Sequence, residues 1–163
     1  MATHEHELTS PPQNERGREL WLQHAAGFIL FRDSRQYAVD QIDAHLDPKA
    51  RAAVVKGIDD ALYGLMMIID GVSGRLSNAS EVVSLTMLVR HSRRSPSGSV
   101  SLVQELDLQE GDGMCMGIHG WRTGDFGKQP PAAVRRAKPN QKSPRVRPRK
   151  TKRPRPIKKS KRK

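Results

Sequence analysis

Cys115 and His119 are the residues of this chain whose types and spacing come closest to a reactive site. They stand four positions apart, and His91 is the nearest histidine upstream. A thiol beside an imidazole can form a nucleophile and its base, and both side chains can bind zinc, which takes about four ligands at defined spacings. The chain has one cysteine and no zinc-finger spacing. We therefore predict no catalytic residue, no metal ligand and no cofactor, and an enzyme built around Cys115 is the least favoured hypothesis.

The surrounding segment 110–127, EGDGMCMGIHGWRTGDFG, is rich in glycine and could hold a phosphate group. Gly111 and Gly113 begin the dinucleotide fingerprint G-x-G-x-x-G, but Met116 occupies its third glycine position. The Gly-Lys-Ser/Thr of a P-loop is absent as well. These departures indicate that the segment has a structural or a partner-binding role.

Two interpretations of segment 110–127 stay open. In the first, a tight turn leads into a third strand through Met114, Met116 and Ile118, and the two aromatic residues that follow close the edge of the core. In the second, an exposed surface binds a protein partner. The residues predicted for that partner-binding surface are Trp121, Arg122 and Phe126.

The charges of the chain divide sharply at residue 127. Residues 1–127 contain all 17 acidic residues and 12 Lys and Arg, a net charge of −5, whereas 128–163 contain 17 Lys and Arg and no acid. The second segment is a polycation that holds seven of the 11 prolines and has Val134, Val146 and Ile157 as its sizeable apolar residues. It cannot bury enough apolar surface to offset its ordering entropy, so we predict a disordered tail.

A cationic segment of this kind binds polyanions by releasing condensed counterions from them. Extended like polyproline, it would reach on the order of 110 Å. It lacks the aromatic side chains that stack on single-stranded bases, so we expect it to bind the backbone and grooves of DNA or RNA. The residues predicted to make these contacts are Arg145, Arg147, Arg149, Lys150, Lys152, Arg153, Arg155, Lys158, Lys159, Lys161, Arg162 and Lys163.

Two short motifs in the tail resemble known DNA-binding sequences. PRVRP at 144–148 resembles the AT-hook core Pro-Arg-Gly-Arg-Pro, whose arginines lie along the A·T-rich minor groove, although Val146 replaces the central glycine. KSPR at 142–145 resembles the Ser-Pro-basic units of linker-histone-like tails. Both resemblances imply a class of ligand and do not specify a binding site.

Helical spacing of apolar residues organises the first half of the globular part. A stripe containing Trp21, Phe28 and Phe31 predicts a helix over 16–33, and a shorter one is predicted over 36–46. Asp47 and Pro48 then form a strong start signal for a long helix, which Gly71 ends. This third helix should be the centre of the core.

Alternating apolar residues replace the helical period after residue 80. Segments 81–91 and 99–108 each place apolar side chains on one face, and SRRSPSG between them predicts a turn. We therefore predict an α+β fold in which two or three helices pack on a small antiparallel sheet, a hairpin with a third strand. The predicted organisation is a flexible leader over 1–15, a globular domain over 16–127 and the disordered basic tail over 128–163.

The globular part also resembles a known style of domain. YGLMMIIDGVSG at the end of the long helix, the hairpin, and the closing segment DGMCMGIHGWRTGDFG are similar to small bacterial α+β domains, among them immunity proteins of toxin systems. The resemblance implies a protein-binding domain rather than an enzyme, and no functional residue can be carried over from it.

These patterns favour a non-enzymatic protein that binds nucleic acid through its basic tail and a protein partner through its globular domain. The alternative is an immunity-type or adaptor domain with an incidental basic tail. The longest apolar run, 61–69, is about half the length of a membrane span, and the N-terminal sequence has no signal-peptide pattern. We expect a cytoplasmic protein, associated with the nucleoid in a bacterial host or nuclear in a eukaryotic one.

Overall fold

The computed structural model describes residues 5–135. Within that range the predicted α+β class is confirmed. The elements, in chain order, are β1 His6–Leu8, α1 Glu15–Ile29, a π-helical stretch Leu30–Arg35, α2 Gln36–Asp40, α3 Pro48–Ile69, β2 Arg75–Ser77, β3 Val82–Ser84, β4 Leu88–Arg94, β5 Val100–Asp107, a 3₁₀ turn Leu108–Glu110, α4 Met114–Arg122 and β6 Ala132–Val134.

The first two predicted helices form one continuous helical segment. Asn14 caps α1, since its side-chain oxygen accepts a hydrogen bond of 2.6 Å from the amide of Gly17. The π-helical stretch then joins α1 to α2 without a break. Of the predicted apolar stripe, Trp21, Phe28 and Phe31 are buried against the rest of the domain.

The start and end signals of α3 are confirmed. Asp47 accepts hydrogen bonds of 2.9 and 3.0 Å from the amides of Lys49 and Ala50, and Pro48 is the first helical residue. Gly71 follows the helix with φ +68°, a left-handed conformation that costs glycine little. Leu62, Met66 and Ile69 lie four and three residues apart on the buried face, so α3 supplies one wall of the core.

The predicted hairpin is present, but its apolar residues do not share one buried face. β4 pairs antiparallel with β5, whereas the start of the predicted first strand forms a separate short hairpin of β2 and β3. A β-bulge lies between His91 and Ser92, so that Val89 pairs with Leu106 but Ser92 pairs with Leu102. Because side chains alternate along a strand, this bulge turns Leu102 to the opposite face from Leu106.

The predicted third strand at Met114–Ile118 is wrong, because these residues form α4. Both carboxylate oxygens of Asp70, at the end of α3, accept hydrogen bonds from the first helical amides: 2.6 Å from Met114 and 2.8 Å from Cys115. A carboxylate at this position satisfies free amides and complements the positive end of the helix. Met114, Ile118 and Trp121 then recur at helical spacing on the buried face.

The core lies where α1, α3 and α4 meet, and Trp121 is at its centre. Its ring packs so closely on two helix glycines that a Cβ on Gly27 or Gly117 would lie 2.5 or 2.3 Å from a ring atom. Phe31 and Phe126 flank the ring at centroid distances of 6.1 and 6.4 Å. Gly27 therefore allows α1 to approach the ring closely, and Gly117 allows the ring to lie against its own helix, α4.

The ends of the described chain differ from the predicted leader and tail. His6–Leu8, placed in the flexible leader, forms β1, and Ala132–Val134, placed in the disordered tail, forms β6. The two strands pair antiparallel, His6 with Val134 and Leu8 with Ala132. Pro131, next to β6, is fully buried. The folded domain therefore includes eight residues of the segment that begins at 128, and the prediction of disorder over 136–163 lies outside the described residues.

Candidate functional site

The twelve Lys and Arg residues predicted to bind nucleic acid, Arg145 to Lys163, lie outside the described residues. What the structure does describe is the first part of the basic segment, residues 128–135, which we call its base. Beyond the β1–β6 pairing, the amide of Arg135 donates to the carbonyl of Glu5 at 2.9 Å, and its Nε donates to the carbonyl of His6 at 3.0 Å. The segment therefore starts from a position held by main-chain hydrogen bonds.

A second group of contacts holds the residues just before β6. The amide of Thr9 donates to the carbonyl of Pro131 at 2.9 Å, and its hydroxyl donates to the carbonyl of Pro130 at 2.7 Å. That hydroxyl also accepts a hydrogen bond of 3.3 Å from Nε1 of the buried Trp21. The base of the basic segment is thus linked through Thr9 to α1 and to the core.

Trp121 and Phe126, predicted as a partner-binding surface, are instead core residues. Trp121 is 3% exposed and Phe126 is 8% exposed, so neither can contact a partner without unfolding. The reason is the helical conformation of segment 114–122, which turns Trp121 inward with Met114. Arg122 is exposed at the end of α4, with Nε 3.7 Å from the Asp59 carboxylate, and alone does not form the predicted surface.

His24 completes the packing of Trp121 on the α1 side. Its Nδ1 accepts a hydrogen bond of 2.9 Å from Nε1 of Trp121, which requires an unprotonated Nδ1. Burial lowers the pKa of His24, and the nearby carboxylates of Asp125 and Asp112 oppose this shift. His24 is therefore a packed, hydrogen-bonded residue beside the core.

Cys115 is not placed as an activated nucleophile. Burial and the neighbouring Asp70 carboxylate raise its pKa to about 11, so the thiol is protonated at neutral pH, and only the thiolate is an effective nucleophile. His119 lies on α4 against Tyr63, with ring centroids 6.1 Å apart, and His91 packs against Trp21 of α1 at a centroid distance of 5.7 Å. Residues 5–135 contain no group of three His, Cys, Asp or Glu side chains that could hold a metal ion.

The sequence did not indicate that a set of aliphatic side chains would be exposed to solvent. Eight aliphatic residues of the β2–β3 and β4–β5 hairpins and of the link between them are exposed, five of them by 60% or more, and one of the eight is Val103 at the bulge. We name the other seven the ribbon surface; it consists of Leu76, Val82, Val83, Leu85, Leu88, Val100 and Leu102. It has two sides, because adjacent Val82 and Val83 point to opposite faces of β3. Four of them, Val83, Leu85, Val100 and Leu102, alternate in the sequence like the buried face of a hairpin. No local signal marks the bulge that turns Leu102 away from the core.

No helix in the described part of the chain is both long and apolar enough to cross a membrane. No protein family, curated protein or solved structure matches the chain at a significant level. The resemblance to immunity proteins and the absence of enzymatic activity therefore stay predictions, and the site must be interpreted from its own residues.

Proposed function

We propose that this protein is a non-enzymatic, nucleic-acid-associated protein: its basic C-terminal segment binds the backbone of DNA or RNA, and its folded domain binds a protein partner. The observation that carries the proposal is the charge separation, 17 Lys and Arg without an acid in 128–163 against a net charge of −5 in 1–127. Counterion release from nucleic acid favours binding of such a segment without any base-reading fold.

The way in which the basic segment is attached supports separate functions for the two parts, nucleic-acid binding by the segment and partner binding by the domain. The β1–β6 pairing and the hydrogen bonds of Arg135 hold the base of the segment on the domain. Nucleic acid bound by the segment is therefore tethered to a folded unit at a defined point. A partner bound by the domain would be brought close to the nucleic acid. Binding to nucleic acid would place the protein in the cytoplasm or, in a eukaryotic host, in the nucleus.

The ribbon surface supports the protein-binding part of the proposal. Exposed aliphatic side chains that cluster on a surface are candidates for a protein-binding site, and these residues replace Trp121 and Phe126 as the candidate. The same surface also supports the alternative function, an immunity-type or adaptor domain in which the basic segment is incidental.

Binding of a fluorescently labelled DNA duplex to three chains tests the nucleic-acid proposal. The chains are the full protein, a protein ending at Arg135, which keeps every described contact, and a full-length variant with the Lys and Arg of 142–163 replaced by Gln. We expect the full chain to bind and both altered chains to lose nearly all affinity. Equal binding by the protein ending at Arg135 would refute the proposal.

Two further arms of the experiment separate the remaining alternatives. An RNA duplex of the same sequence, used as competitor, shows whether the segment prefers one nucleic acid. Isolation of a protein partner that binds the chain ending at Arg135 as tightly as the full chain, together with no nucleic-acid binding by either chain, would favour the immunity-type alternative.

A further inference from the structure

Three arginines from two parts of the chain line one cleft beside the core. Arg32 and Arg35 belong to the π-helical stretch Leu30–Arg35, and Arg122 is the last residue of α4. The cleft has a volume of about 300 Å³, and none of the described residues that line it is acidic. We name it the arginine cleft; its polar lining residues are Arg32, Arg35, Gln36, Arg122 and Thr123.

Two of these arginines are held in place by the residues around them. The guanidinium of Arg32 lies 5.6 Å from the ring centroid of Phe28. That of Arg35 lies 5.9 Å from the ring centroid of Phe31. Arg35 also donates to both carboxylate oxygens of Asp59, from Nε at 2.6 Å and from Nη2 at 3.2 Å. Guanidinium groups held in this way lose less conformational freedom when a ligand binds.

The arginine cleft has an excess of positive charge. The carboxylate of Asp59 is 12% exposed and already bonded to Arg35 through both oxygens. Nε of Arg122 lies 3.7 Å from the same carboxylate, and the Arg122 side chain is 53% exposed. No second carboxylate of the described residues forms an ion pair with the three arginines. An anion can therefore bind Arg32 and Arg122 without breaking the pair of Arg35 and Asp59.

The helix that supplies two of the arginines is irregular at this position. π-helical turns are rare in proteins and occur frequently at functional sites. Here the π-helical stretch lies between α1 and α2 in an otherwise continuous helical segment, and its sequence LFRDSR contains neither glycine nor proline. The irregular turn coincides with the arginine cleft, which is a second reason to interpret the cleft as a binding site.

Exposed carboxylates border the cleft and restrict the kind of anion that can bind. Asp40 accepts a hydrogen bond of 2.8 Å from Nε2 of Gln36. Asp60 lines an adjoining cleft that shares Arg122. Nucleic acid places a phosphate about every 1.7 Å along its axis, so a strand at the arginine cleft would also bring phosphates against these carboxylates. A single acidic side chain would meet the arginines alone.

We propose that the arginine cleft binds an acidic side chain of the protein partner, with Arg32 and Arg122 donating to the carboxylate and Arg35 adding positive charge. Arginine clusters bind acidic motifs through charge-assisted hydrogen bonds. This inference rests on the proposed partner-binding role of the folded domain, and it defines the chemistry of the partner as a segment that contains Asp or Glu.

The position of the cleft would bring such a partner close to the base of the basic segment. Phe28, which packs against Arg32, also contacts the ring of His6 in β1 at a centroid distance of 5.0 Å. β1 in turn pairs with β6. A partner in the cleft and a nucleic acid on the basic segment would therefore be neighbours.

Titration of the full chain with a capped hexaglutamate peptide, followed by NMR at about 150 mM salt, tests the site. Backbone amide signals report binding residue by residue, so peptide in the cleft is distinguished from peptide on the basic segment. We expect saturable shifts of the amide signals of residues 32–36 and 122–124. The absence of saturable shifts there would overturn the proposal.

Matched variants test whether the arginines are responsible. Combining Arg32→Glu with Arg122→Glu should weaken peptide binding at the cleft about tenfold or more, because like charges then face the peptide. Arg51→Glu with Arg75→Glu is the control: both arginines are exposed, lie on α3 and β2, and do not line the cleft. This control makes the same change in net charge and should leave binding at the cleft unchanged. Equal weakening by the two double variants would contradict the proposal.

A single neutral substitution covers the case in which the charge-reversed variant fails to fold. Arg122→Gln removes one exposed charge and should weaken peptide binding roughly threefold. Unchanged binding by this variant would also overturn the proposal.

Duplex DNA added to the same protein separates this proposal from the proposed function. The duplex should shift the signals of the basic segment. A duplex response in the cleft that the Arg32→Glu and Arg122→Glu combination removes would assign the cleft to nucleic acid and overturn the acidic-partner proposal. A cleft that binds the peptide in a chain whose basic segment does not respond to the duplex would refute nucleic-acid binding alone.

Discussion

The folded domain and the basic segment depend on different properties of their side chains. In the domain, Met66, Leu108 and Met114 have no exposed surface, so stability depends on the shape and position of individual residues. In the basic segment, 17 positive charges are spread over 36 residues that contain three sizeable apolar ones, so binding should depend on the number of charges and little on their order. Changes in one part should therefore leave the property of the other part intact.

Truncation of the central core residue should have the largest effect on stability. Trp121→Ala leaves a cavity between α1 and α4 and should lower the free energy of unfolding by about 3–5 kcal/mol. Leu102→Ala also removes an apolar side chain, but one that is 59% exposed, and should change it by less than about 0.5 kcal/mol. Urea denaturation of both variants checks this contrast.

The nucleic-acid affinity of the same Trp121→Ala variant tests whether the domain and the basic segment act independently. At a temperature where the variant is still folded, we expect it to bind duplex DNA as tightly as the wild-type chain. A parallel loss of stability and affinity would show that the domain itself contributes to binding.

Truncation at different residues tests where the folded domain ends. A chain ending at Gly127 lacks the buried Pro131 and the strand β6, and should lose roughly 1–3 kcal/mol of stability from lost burial and hydrogen bonds. A chain ending at Arg135 should unfold at the wild-type temperature. Thermal unfolding at moderate salt measures both. Equal stability of the two shortened chains would mean that the β1–β6 pairing does not stabilise the domain.

A smaller effect is expected from protonation of His24. Burial lowers its pKa in the folded state below 6.5, so the unfolded chain binds the proton more tightly and stability should decrease as the pH falls below about 6.5. Protonation would also remove the acceptor of the Trp121 hydrogen bond. The free energy of unfolding should be higher at pH 7.5 than at pH 5.5. His24→Gln, which keeps an acceptor that does not titrate, should flatten this difference.

The smallest effect concerns base preference in the basic segment. Val146→Gly restores the central glycine of the AT-hook pattern in PRVRP. It also removes a branched side chain that we expect to hold the backbone away from the groove floor. Arginines bind the narrow A·T-rich minor groove favourably, and the guanine amino group obstructs the floor in G·C-rich DNA. We expect the A·T-to-G·C affinity ratio to rise while mean affinity changes little. Competition between matched duplexes at one salt concentration measures the ratio, and an unchanged ratio would mean that PRVRP acts as generic positive charge.

Those parts of the fold that rest on local signals could be predicted from the sequence. Asp47, Pro48 and Gly71 delimit α3 by capping chemistry that acts within a few residues, and the polar turn with Gly98 marks the β4–β5 hairpin. α4 was missed because its capping carboxylate, Asp70, is 44 positions away along the chain. Gly117 and Gly120 lower the helix propensity of that segment, so the helical spacing of its buried residues was not recognised.

The candidate site was harder to predict than the helices. A single inserted residue in β5 decides whether Leu102 faces the core or the solvent, and alternation along the sequence does not reveal it. β1 and β6 are three residues each and pair across nearly the whole described chain, which no local pattern indicates. The charge of the basic segment, by contrast, is visible in the sequence because it does not depend on folding.

The salt dependence of duplex binding by the full chain tests the central claim most directly. If about 6–10 phosphates are neutralised, raising monovalent salt from 50 to 200 mM should weaken binding by roughly 10³–10⁵-fold, with a linear decrease of log K against log salt. The chain ending at Arg135 should show little binding at either concentration. An affinity of the full chain that does not change with salt would contradict the account.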